Sequence, residues 1–439
     1  MINSISAALP RSLDLLTLQE AVIELEIEQC DRAMHLSQSA RTEADQWQAY
    51  INLLAIEGLE HWLNTHLDPG AIAASQCWIL QPSYAHFLSS VSHLEINGFR
   101  LCLIVTESIG EEWIAVPRAV FDVPEFTAHF YVLIEVQEEQ AQVIVRGCLR
   151  HDQWLQMQQV TNVTVDVSWH YSLALDWFDP DFSHLLAWLR FLAPGSLPLP
   201  VAIPSIRQQL APIQAELAQQ LPTLDLNQPI AEQLDWKHGS VLLTCPPLLN
   251  VLTQLRTNAE PTTIATHIAT TLTQLTQQVV NVWYWSHHTI DRLQFPLDWS
   301  MPQLLVTPGA MRRTTDKLTI AIADLIQRQR LTIPTQAQYA SHRLAQTNLQ
   351  VGIVTWLLPD ADWALLVILV AEPGSTIPVG TRLQVGVTTI LTEVVLTSQD
   401  LYLYTLLEGN QTEEFVITIL LPNALPLTLP PIVCQAGSA

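Results

Sequence analysis

The chain has 439 residues and an acidic composition, with 19 Lys plus Arg against 42 Asp plus Glu and a formal charge of −23 at pH 7. A surface of that sign repels phosphate backbones and anionic lipid head groups, so the composition argues against nucleic-acid binding. Hydrophobic residues make up 49% of the chain and charged residues only 14%. This balance excludes a disordered chain, because disorder requires low hydrophobicity and high charge.

Only two lysines, Lys237 and Lys317, occur in the whole chain. Neither ends a glycine-rich turn followed by Ser or Thr, so a phosphate-binding loop is excluded. A kinase core or a pyridoxal Schiff base would have to use one of these two lysines. The Gly-x-Ser-x-Gly motif of common serine hydrolases is also absent. The sequence therefore predicts no catalytic residue and no cofactor.

The cysteines and the apolar runs indicate in which cellular compartment the protein resides. Six cysteines are scattered without a Cys-x-x-Cys pair, which is typical of buried thiols in a reducing compartment. Met1–Leu15 lacks the charged start and apolar run of a signal peptide. The longest strongly apolar run, Trp363–Ala371, is far shorter than the roughly 20 residues of a membrane span. We therefore predict a soluble, cytoplasmic protein with no membrane span.

Residues 1–193 predict an α+β domain that begins with a helical hairpin. Apolar residues at helical spacing predict helices over 13–36 and 43–65. The alternation in Glu24–Glu28 leaves a strand open as the alternative at that point. A short helix is predicted over 181–192.

Between these helices the hydrophobic period changes to two, which indicates strands. The predicted strands are 93–96, 99–105, 112–116, 130–136, 141–149 and 163–173. Asn97-Gly98 separates the first two, and Asn-Gly between apolar runs strongly indicates a hairpin because both turn residues need a positive φ. We therefore predict a mostly antiparallel sheet.

The remainder of the chain divides into three predicted segments. A Pro-rich linker spans 194–204, a mainly helical region spans 205–347, and a β-sandwich-like domain with an extended tail spans 348–439. The predicted helices are 206–221, one through Ile264, Ile268, Leu272 and Leu275, and 315–330. The predicted strands are 349–357, 364–371, 381–387, 390–397, 401–407 and 415–421.

Several local strings occur in an order that is typical of one family. They are Tyr50–Ala55 leading to Leu59 and Trp62-Leu63, His93–Cys102, Val280–Val282 with Trp285, Trp299, Ile377-Pro378 before Leu383–Val385, and Glu413–Ile417. Over about residues 15–421 the chain resembles the cyanobacterial domain of unknown function 1822 family. That family has no established activity, so no catalytic residue is carried over. The resemblance implies a regulatory or assembly role in a cyanobacterial cell.

Three groups of polar residues have part of the spacing of a metal site: His61 with His66, His287 and His288 with Asp291, and Asp176 with Asp179 and Asp181. A spacing of five places two helical side chains about 140° apart, which disfavours the first group. A packed helix end explains the second group. The third lacks the glycine and distal glutamate of a calcium loop, and an N-cap by Asp179 or Asp181 explains it. We predict no metal site.

Cys245 lies seven residues after His238. A cysteine nucleophile needs a base within hydrogen-bond reach. Sequence alone does not place these two groups together, and a buried structural thiol is the expected role.

Four aromatic residues of the terminal region form the candidate binding site. Tyr402 and Tyr404 lie two apart on a predicted strand, so both rings point to one face. Trp356 and Trp363 flank a predicted turn. Such rings can stack on a sugar or on a partner's side chains, and the alternative is that they pack between two sheets.

The sequence therefore favours a non-enzymatic protein-interaction or regulatory module with an unidentified protein partner. The absence of a catalytic motif, the low charge and the 14 tryptophans support this interpretation. The first alternative is a protein that binds a carbohydrate or an apolar ligand through the terminal β-sandwich. A hydrolase that uses His, Asp or Cys without a recognisable motif is the second alternative.

Overall fold

The computed structural model describes residues 21–40, 42–67, 72–108, 112–201, 205–225, 228–258, 261–277, 279–286, 299–305, 317–328, 331–344, 347–358, 362–387, 391–397, 400–422 and 424–435. The chain divides into two compact units, Met1–Ala202 and Ile203–Ala439.

The first unit combines helices and strands. Its helices are α1 (Ile27–Ser37), α2 (Glu43–His66), α3 (Ala119–Asp122), α4 (His151–Val160) and α5 (Phe182–Phe191). Its strands are β1 (Ala21–Glu24), β2 (Ile72–Cys77), β3 (Val91–Ile96), β4 (Phe99–Thr106), β5 (Trp113–Pro117), β6 (Phe130–Gln137), β7 (Gln142–Arg150) and β8 (His170–Ala174). Short 3-10 turns occupy Trp78–Leu80, Glu138–Gln140, Leu175–Trp177 and Pro194–Ser196.

Six of these strands form one sheet in the order β1-β7-β6-β4-β3-β2. The pairs are antiparallel except for β4 and β6, which run parallel. Asn97 and Gly98 join β3 to β4 with φ of 49° and 77°, as the Asn-Gly signal predicted. The remaining strands, β5 and β8, form a separate two-stranded ribbon.

The two faces of the six-stranded sheet carry different layers. On one face, apolar side chains of α1, α2 and α5 share a core with alternate strand residues such as Phe130 and Val132. Leu59 and Leu63 of α2 are fully buried there, and burial of a Leu side chain contributes about 1.5–3 kcal/mol. Tyr131 lies between Phe130 and Val132 and therefore projects from the other face.

An aromatic layer covers that other face. Phe121 of α3 packs against Tyr131, against Trp154 of α4 and against Tyr171 of β8, with ring centroids 4.3, 4.3 and 6.0 Å away. The ribbon and α4 are thereby attached to the sheet through buried rings.

Two sequence predictions for this unit are wrong in part. Ala21–Glu24 forms strand β1, paired with β7, and not the predicted helix; Ile23 is buried while Val22 is exposed, which is the alternation of a half-buried strand. The rest of the predicted helix before residue 21 lies outside the described residues. The predicted strand 163–173 is interrupted by a turn, because Trp169 has a φ of 60° and its N–H donates to the carbonyl of Asp166.

The second unit begins with helices and ends with strands. Its helices are α6 (Ile206–Leu210), α7 (Gln214–Gln220), α8 (Ile230–Gln233), α9 (Trp236–Leu243), α10 (Pro246–Asn258), α11 (Pro261–Gln277), α12 (Trp283–Ser286) and α13 (Lys317–Arg328), with a 3-10 turn at Leu221–Thr223. Its strands are β9 (Val280–Asn281), β10 (Gln303–Leu304), β11 (Gln338–Arg343), β12 (Leu349–Leu357), β13 (Trp363–Ala371), β14 (Arg382–Gly386), β15 (Leu391–Val395), β16 (Leu403–Gly409), β17 (Glu414–Leu420), β18 (Leu427–Thr428) and β19 (Ile432–Val433).

Two sheets organise these strands. One has the order β10-β11-β12-β13-β16, and the other has the order β15-β14-β17-β19-β9 with β18 beside β17. Val367 of the first sheet and Ile417 of the second are fully buried in one shared apolar core. Helix α13 covers the opposite face of the first sheet, where Ile322 packs with Ile368. The α+β class predicted from the sequence is confirmed.

The predicted helical region differs in detail from the structure. The predicted helix 206–221 is divided into α6 and α7, because Pro212 lacks an N–H and disrupts a helix interior. Strands β9, β10 and β11 also come from the region 205–347, and β9 pairs in parallel with β19 of the predicted extended tail. Helices and strands therefore contribute to the same compact unit.

Candidate functional site

Trp363 belongs to the interior of the second unit. Its side chain is fully buried, packs against Phe415 with ring centroids 5.1 Å apart, and donates its indole N–H to the carbonyl of Asn410 at 3.0 Å. A ring with this environment has both its apolar and its polar requirements met inside the protein.

Trp356, Tyr402 and Tyr404 lie on the other side of the sheet that contains Trp363, and Trp356 is four residues along the strand direction from Tyr404. All three pack against the core beneath α13, and the Tyr402 and Tyr404 rings are 6.2 Å apart. The Tyr402 hydroxyl donates to the Asp324 carboxylate at 2.8 Å, and burial raises the pKa of Tyr402 to about 12. The structure thus brings Tyr402 and Tyr404 together, places Trp356 further along the same face, and separates Trp363 from all three.

The predicted polar groups are engaged in local contacts. The His66 ring stacks on Trp62 with centroids 4.1 Å apart, and its Nδ1 donates to the Trp62 carbonyl at 2.7 Å. His287, His288 and Asp291 lie outside the described residues.

The aspartate group that follows β8 stabilises the start of α5. Asp181 is the N-cap, and its carboxylate accepts from the backbone N–H of Ser183 at 3.0 Å. Asp179 accepts from His184 Nδ1 at 2.7 Å. This hydrogen bond raises the pKa of His184, and the bond from the Ser183 side chain lowers the pKa of Asp181. The capping role predicted for this cluster is confirmed.

Cys245 is buried, and burial raises the pKa of its thiol to about 12. His238 contacts two carboxylates instead, with Nδ1 at 2.8 Å from Asp235 and Nε2 at 2.6 Å from Glu216. Asp235 is also the N-cap of α9. The imidazole therefore links α7 to the start of α9, and a thiol at this pKa is not the thiolate that a nucleophilic role requires.

A histidine cluster that the sequence did not reveal lies on the aromatic face of the six-stranded sheet in the first unit. His129 Nδ1 accepts the backbone N–H of Arg100 at 2.8 Å. Burial, reinforced by the Arg100 charge, lowers the pKa of His129 to about 4 and the pKa of His93 to about 4. Burial also lowers the pKa of His151. These histidines are therefore neutral at pH 7.

The hydrogen bonds of His151 fix its tautomer. The Tyr131 hydroxyl donates to the Val120 carbonyl at 2.9 Å, so its oxygen accepts from His151 Nδ1 at 3.1 Å. His151 Nε2 is then an unprotonated acceptor, buried and without a hydrogen-bond partner among the described residues. This arrangement ties α4 to β6 and favours the neutral imidazole.

Among the described residues, no group of three or more His, Cys, Asp or Glu side chains is placed to hold a metal ion. The helices of the described residues include none with the length and apolarity to cross a membrane.

The most exposed concentration of apolar side chains in the first unit follows Trp154. Val160 is 83% exposed, Val167 is 74% exposed, and Leu155 and Val165 are also solvent-exposed. Trp113, on β5, is 52% exposed, but it pairs with Ala174 at the other end of the ribbon. We call residues 155–167 the apolar surface of the ribbon. Exposed apolar groups that are this close in the chain are typical of interaction surfaces.

Backbone geometry makes part of this surface an open strand edge. Val165 forms an isolated antiparallel bridge with Tyr171 of β8. The N–H of Asp166 donates to the His170 carbonyl at 2.9 Å, and the N–H of Ser172 donates to the Thr164 carbonyl at 3.3 Å. Thr164, Val165 and Asp166 therefore form a short edge segment beside β8, and Val163 and Val167 flank it.

The fold and this surface define a class: a two-unit α+β protein with an exposed apolar strand edge in its first unit. The sequence pattern of the family described as a protein of unknown function, DUF1822, matches residues 23–425. The chain belongs to the DUF1822 family, as the local strings indicated. No curated protein and no solved structure shows significant similarity to it.

Proposed function

We propose that the chain is a non-enzymatic protein-interaction module with a regulatory or assembly role in the cytoplasm of a cyanobacterial cell. The observation that supports this function best is the apolar surface of the ribbon. Apolar side chains such as Val160 and Val167 are exposed to water there. This exposure is unfavourable, and a partner that covered these side chains would remove it.

The composition supports the same proposal. With only 14% charged residues, the chain has fewer charged groups than the roughly 25% of an average globular protein. Interfaces are depleted in charge and enriched in aromatic residues, and the chain contains 14 tryptophans.

The test is capture of a partner by the full chain and by a matched pair of variants. The wild-type chain should recover a reproducible protein partner from a cyanobacterial lysate. The double variant Val160→Glu with Val167→Glu should lose it, because two carboxylates would be buried in the contact. The variant Val379→Glu changes an exposed valine of the second unit and should keep the partner. Equal recovery by all three proteins would contradict the proposed surface.

A second function is favoured by a different observation. We propose that the two sheets of the second unit form a β-sandwich, and that the paired rings of Tyr402 and Tyr404 bind a carbohydrate or an apolar ligand, with Trp356 further along the same face. Both tyrosines are only half-buried, so their rings are available for stacking. Trp363 would support this site from the interior.

A glycan array distinguishes this alternative. Replacement of Tyr404 by Ala should abolish binding of any glycan that the wild-type chain recognises, and Tyr402→Phe should retain binding because the ring remains. Absence of glycan binding by the intact chain would rule out the carbohydrate form of the alternative.

A further inference from the structure

We propose that the edge Val163–Val167 binds an extended segment of a partner protein by β-strand addition, and that this segment alternates aliphatic with basic residues. The proposal rests on the interaction function above and names the mode of binding and the chemistry of the partner.

The first argument is the direction of the backbone groups. Around the bridge between Val165 and Tyr171, the hydrogen bonds to β8 are made by the flanking residues Thr164 and Asp166. In such a pair the N–H and C=O of the central residue point away from the neighbouring strand. Both groups of Val165 therefore face outward, and neither makes a hydrogen bond within the described residues. An unpaired edge of this kind is a template for another strand.

The second argument is the alternation of side chains along the edge. Val163 and Val165 project to one face of the segment, while Thr164 and Asp166 project to the other, and Val167 follows in the turn that leads to β8. Val165 is 38% exposed and Val167 is 74% exposed. An added strand would place aliphatic side chains beside these valines at every second position, and cross-strand pairs of this kind stabilise a sheet by about 0.2–1 kcal/mol each.

The third argument is charge. Asp166 is the carboxylate of this edge; it is about half-exposed, its Oδ1 accepts from the backbone N–H groups of Ser168 and His170, and it lies 3.8 Å from His170 Nδ1. Glu112 and Asp176 lie at the opposite end of the ribbon, and both are exposed. These three exposed carboxylates give the ribbon negative charge, which complements basic residues on the partner strand.

The same charges disfavour a second copy of the chain as the occupant. Two copies would bring equivalent carboxylates together, and each copy carries a formal charge of −23. Like charges that face each other across an interface oppose association. A basic segment of a different protein meets the backbone, side-chain and charge requirements together.

The experiment measures binding of a synthetic probe to the full chain. The probe is a nine-residue peptide of alternating Val and Lys, compared with a Val/Glu peptide and with a Val/Lys peptide that is N-methylated at alternate residues. We expect the first peptide to bind, with an affinity that falls at least tenfold between 50 and 300 mM salt, as roughly expected for screened charges. We expect no binding of the other two. Equal binding of the Val/Glu peptide or of the N-methylated peptide would overturn the proposal.

A protein variant provides an independent arm. Val165→Pro removes the outward N–H at an edge position where proline is tolerated, and it should weaken binding of the Val/Lys peptide at least tenfold. The matched control is Val201→Pro, which changes a valine that is 88% exposed and should leave binding unchanged. If Val165→Pro fails to fold, as judged by circular dichroism, the N-methylated peptide still decides the question.

Two further outcomes separate this proposal from the interaction function. If Val165→Pro still captures the natural partner and binds the Val/Lys peptide as wild type does, the interaction function stands and strand addition is wrong. If the wild-type chain is a dimer in sedimentation and Val165→Pro is a monomer, the edge is used by a second copy and the assignment of a basic partner is wrong.

Discussion

Acidification from pH 7 to pH 5 is expected to destabilise the first unit through its buried histidines. His129 and His93 have pKa values lowered to about 4 in the folded chain, whereas an unfolded histidine titrates near 6.5. Between these two values the unfolded chain binds more protons than the folded chain. Stability therefore falls as the pH drops below about 6.5, and the loss continues to about pH 4.

The magnitude follows from the two pKa values. At pH 5 the unfolded imidazole is almost fully protonated, whereas a folded imidazole with a pKa of about 4 binds roughly a tenth of a proton. Integration over the interval gives a loss of about 2 kcal/mol for each histidine. Because domain stabilities are typically about 5–15 kcal/mol, the effect should be large enough to measure. His151 adds to it in the same direction, since a protonated Nε2 would have no described acceptor.

The assay is hydrogen exchange of the β6 and β7 amides in the full chain at increasing urea, measured at pH 7 and at pH 5 with correction for the intrinsic exchange rate. The variant His129→Asn keeps an acceptor for the Arg100 N–H and removes the titrating group. Combined with His93→Gln, it should reduce the loss between the two pH values by about 2–4 kcal/mol. An equal loss in the variant and in the wild type would refute the reasoning, because other acidic groups would then explain the whole effect.

Three predictions concern stability, measured by urea unfolding of the full chain. Trp363→Ala should destabilise the second unit by about 3–5 kcal/mol because a fully buried ring leaves a cavity; a loss below about 1 kcal/mol would contradict its interior placement. Gly352→Ala would place a Cβ 2.5 Å from Leu318 Cδ2 and should lower stability by about 1–3 kcal/mol. Adding Leu318→Ala should recover part of this loss. If the losses of the two single variants simply add in the double variant, the clash is not their cause. Arg207→Ala leaves the buried Glu414 carboxylate without its partner at 3.1 Å and should lower stability by about 3–5 kcal/mol. Adding Glu414→Gln should restore most of that stability. If it restores none, the unpaired charge is not the cause of the loss.

Local sequence signals predicted the strands of the second unit well. The predicted strand 349–357 coincides with β12, and 364–371 differs from β13 by one residue at its start. These segments have high β propensity and are bounded by turn residues, so local preference and tertiary packing agree. The Asn97-Gly98 hairpin succeeded for the same reason, since its conformation is fixed by the two residues themselves.

Elements whose partners are distant in sequence were not predictable in this way. Ala21–Glu24 is a strand because it pairs with β7, more than a hundred residues later, and its four residues alone do not exclude a helix. The edge at Val163–Val167 had a local signal in its alternating valines. Only the structure shows that the chain turns before Trp169 and leaves Val165 on an open edge.

Buried polar contacts explain why the structure does not keep the predicted boundary between a helical region and a strand region. Asn250 of α10 donates to the Gln384 side-chain oxygen on β14 at 2.7 Å, and the Gln384 amide in turn donates to Glu393 on β15 at 2.6 Å. Arg207 of α6 reaches Glu414 of β17 in the same unit. A sheet separated from these helices would lose partners for its buried polar groups, which costs about 1–3 kcal/mol for each group. The Asn250–Gln384 and Arg207–Glu414 contacts join residues more than a hundred positions apart. Hydropathy periods therefore divide the chain between 347 and 348, whereas its hydrogen bonds join the two parts.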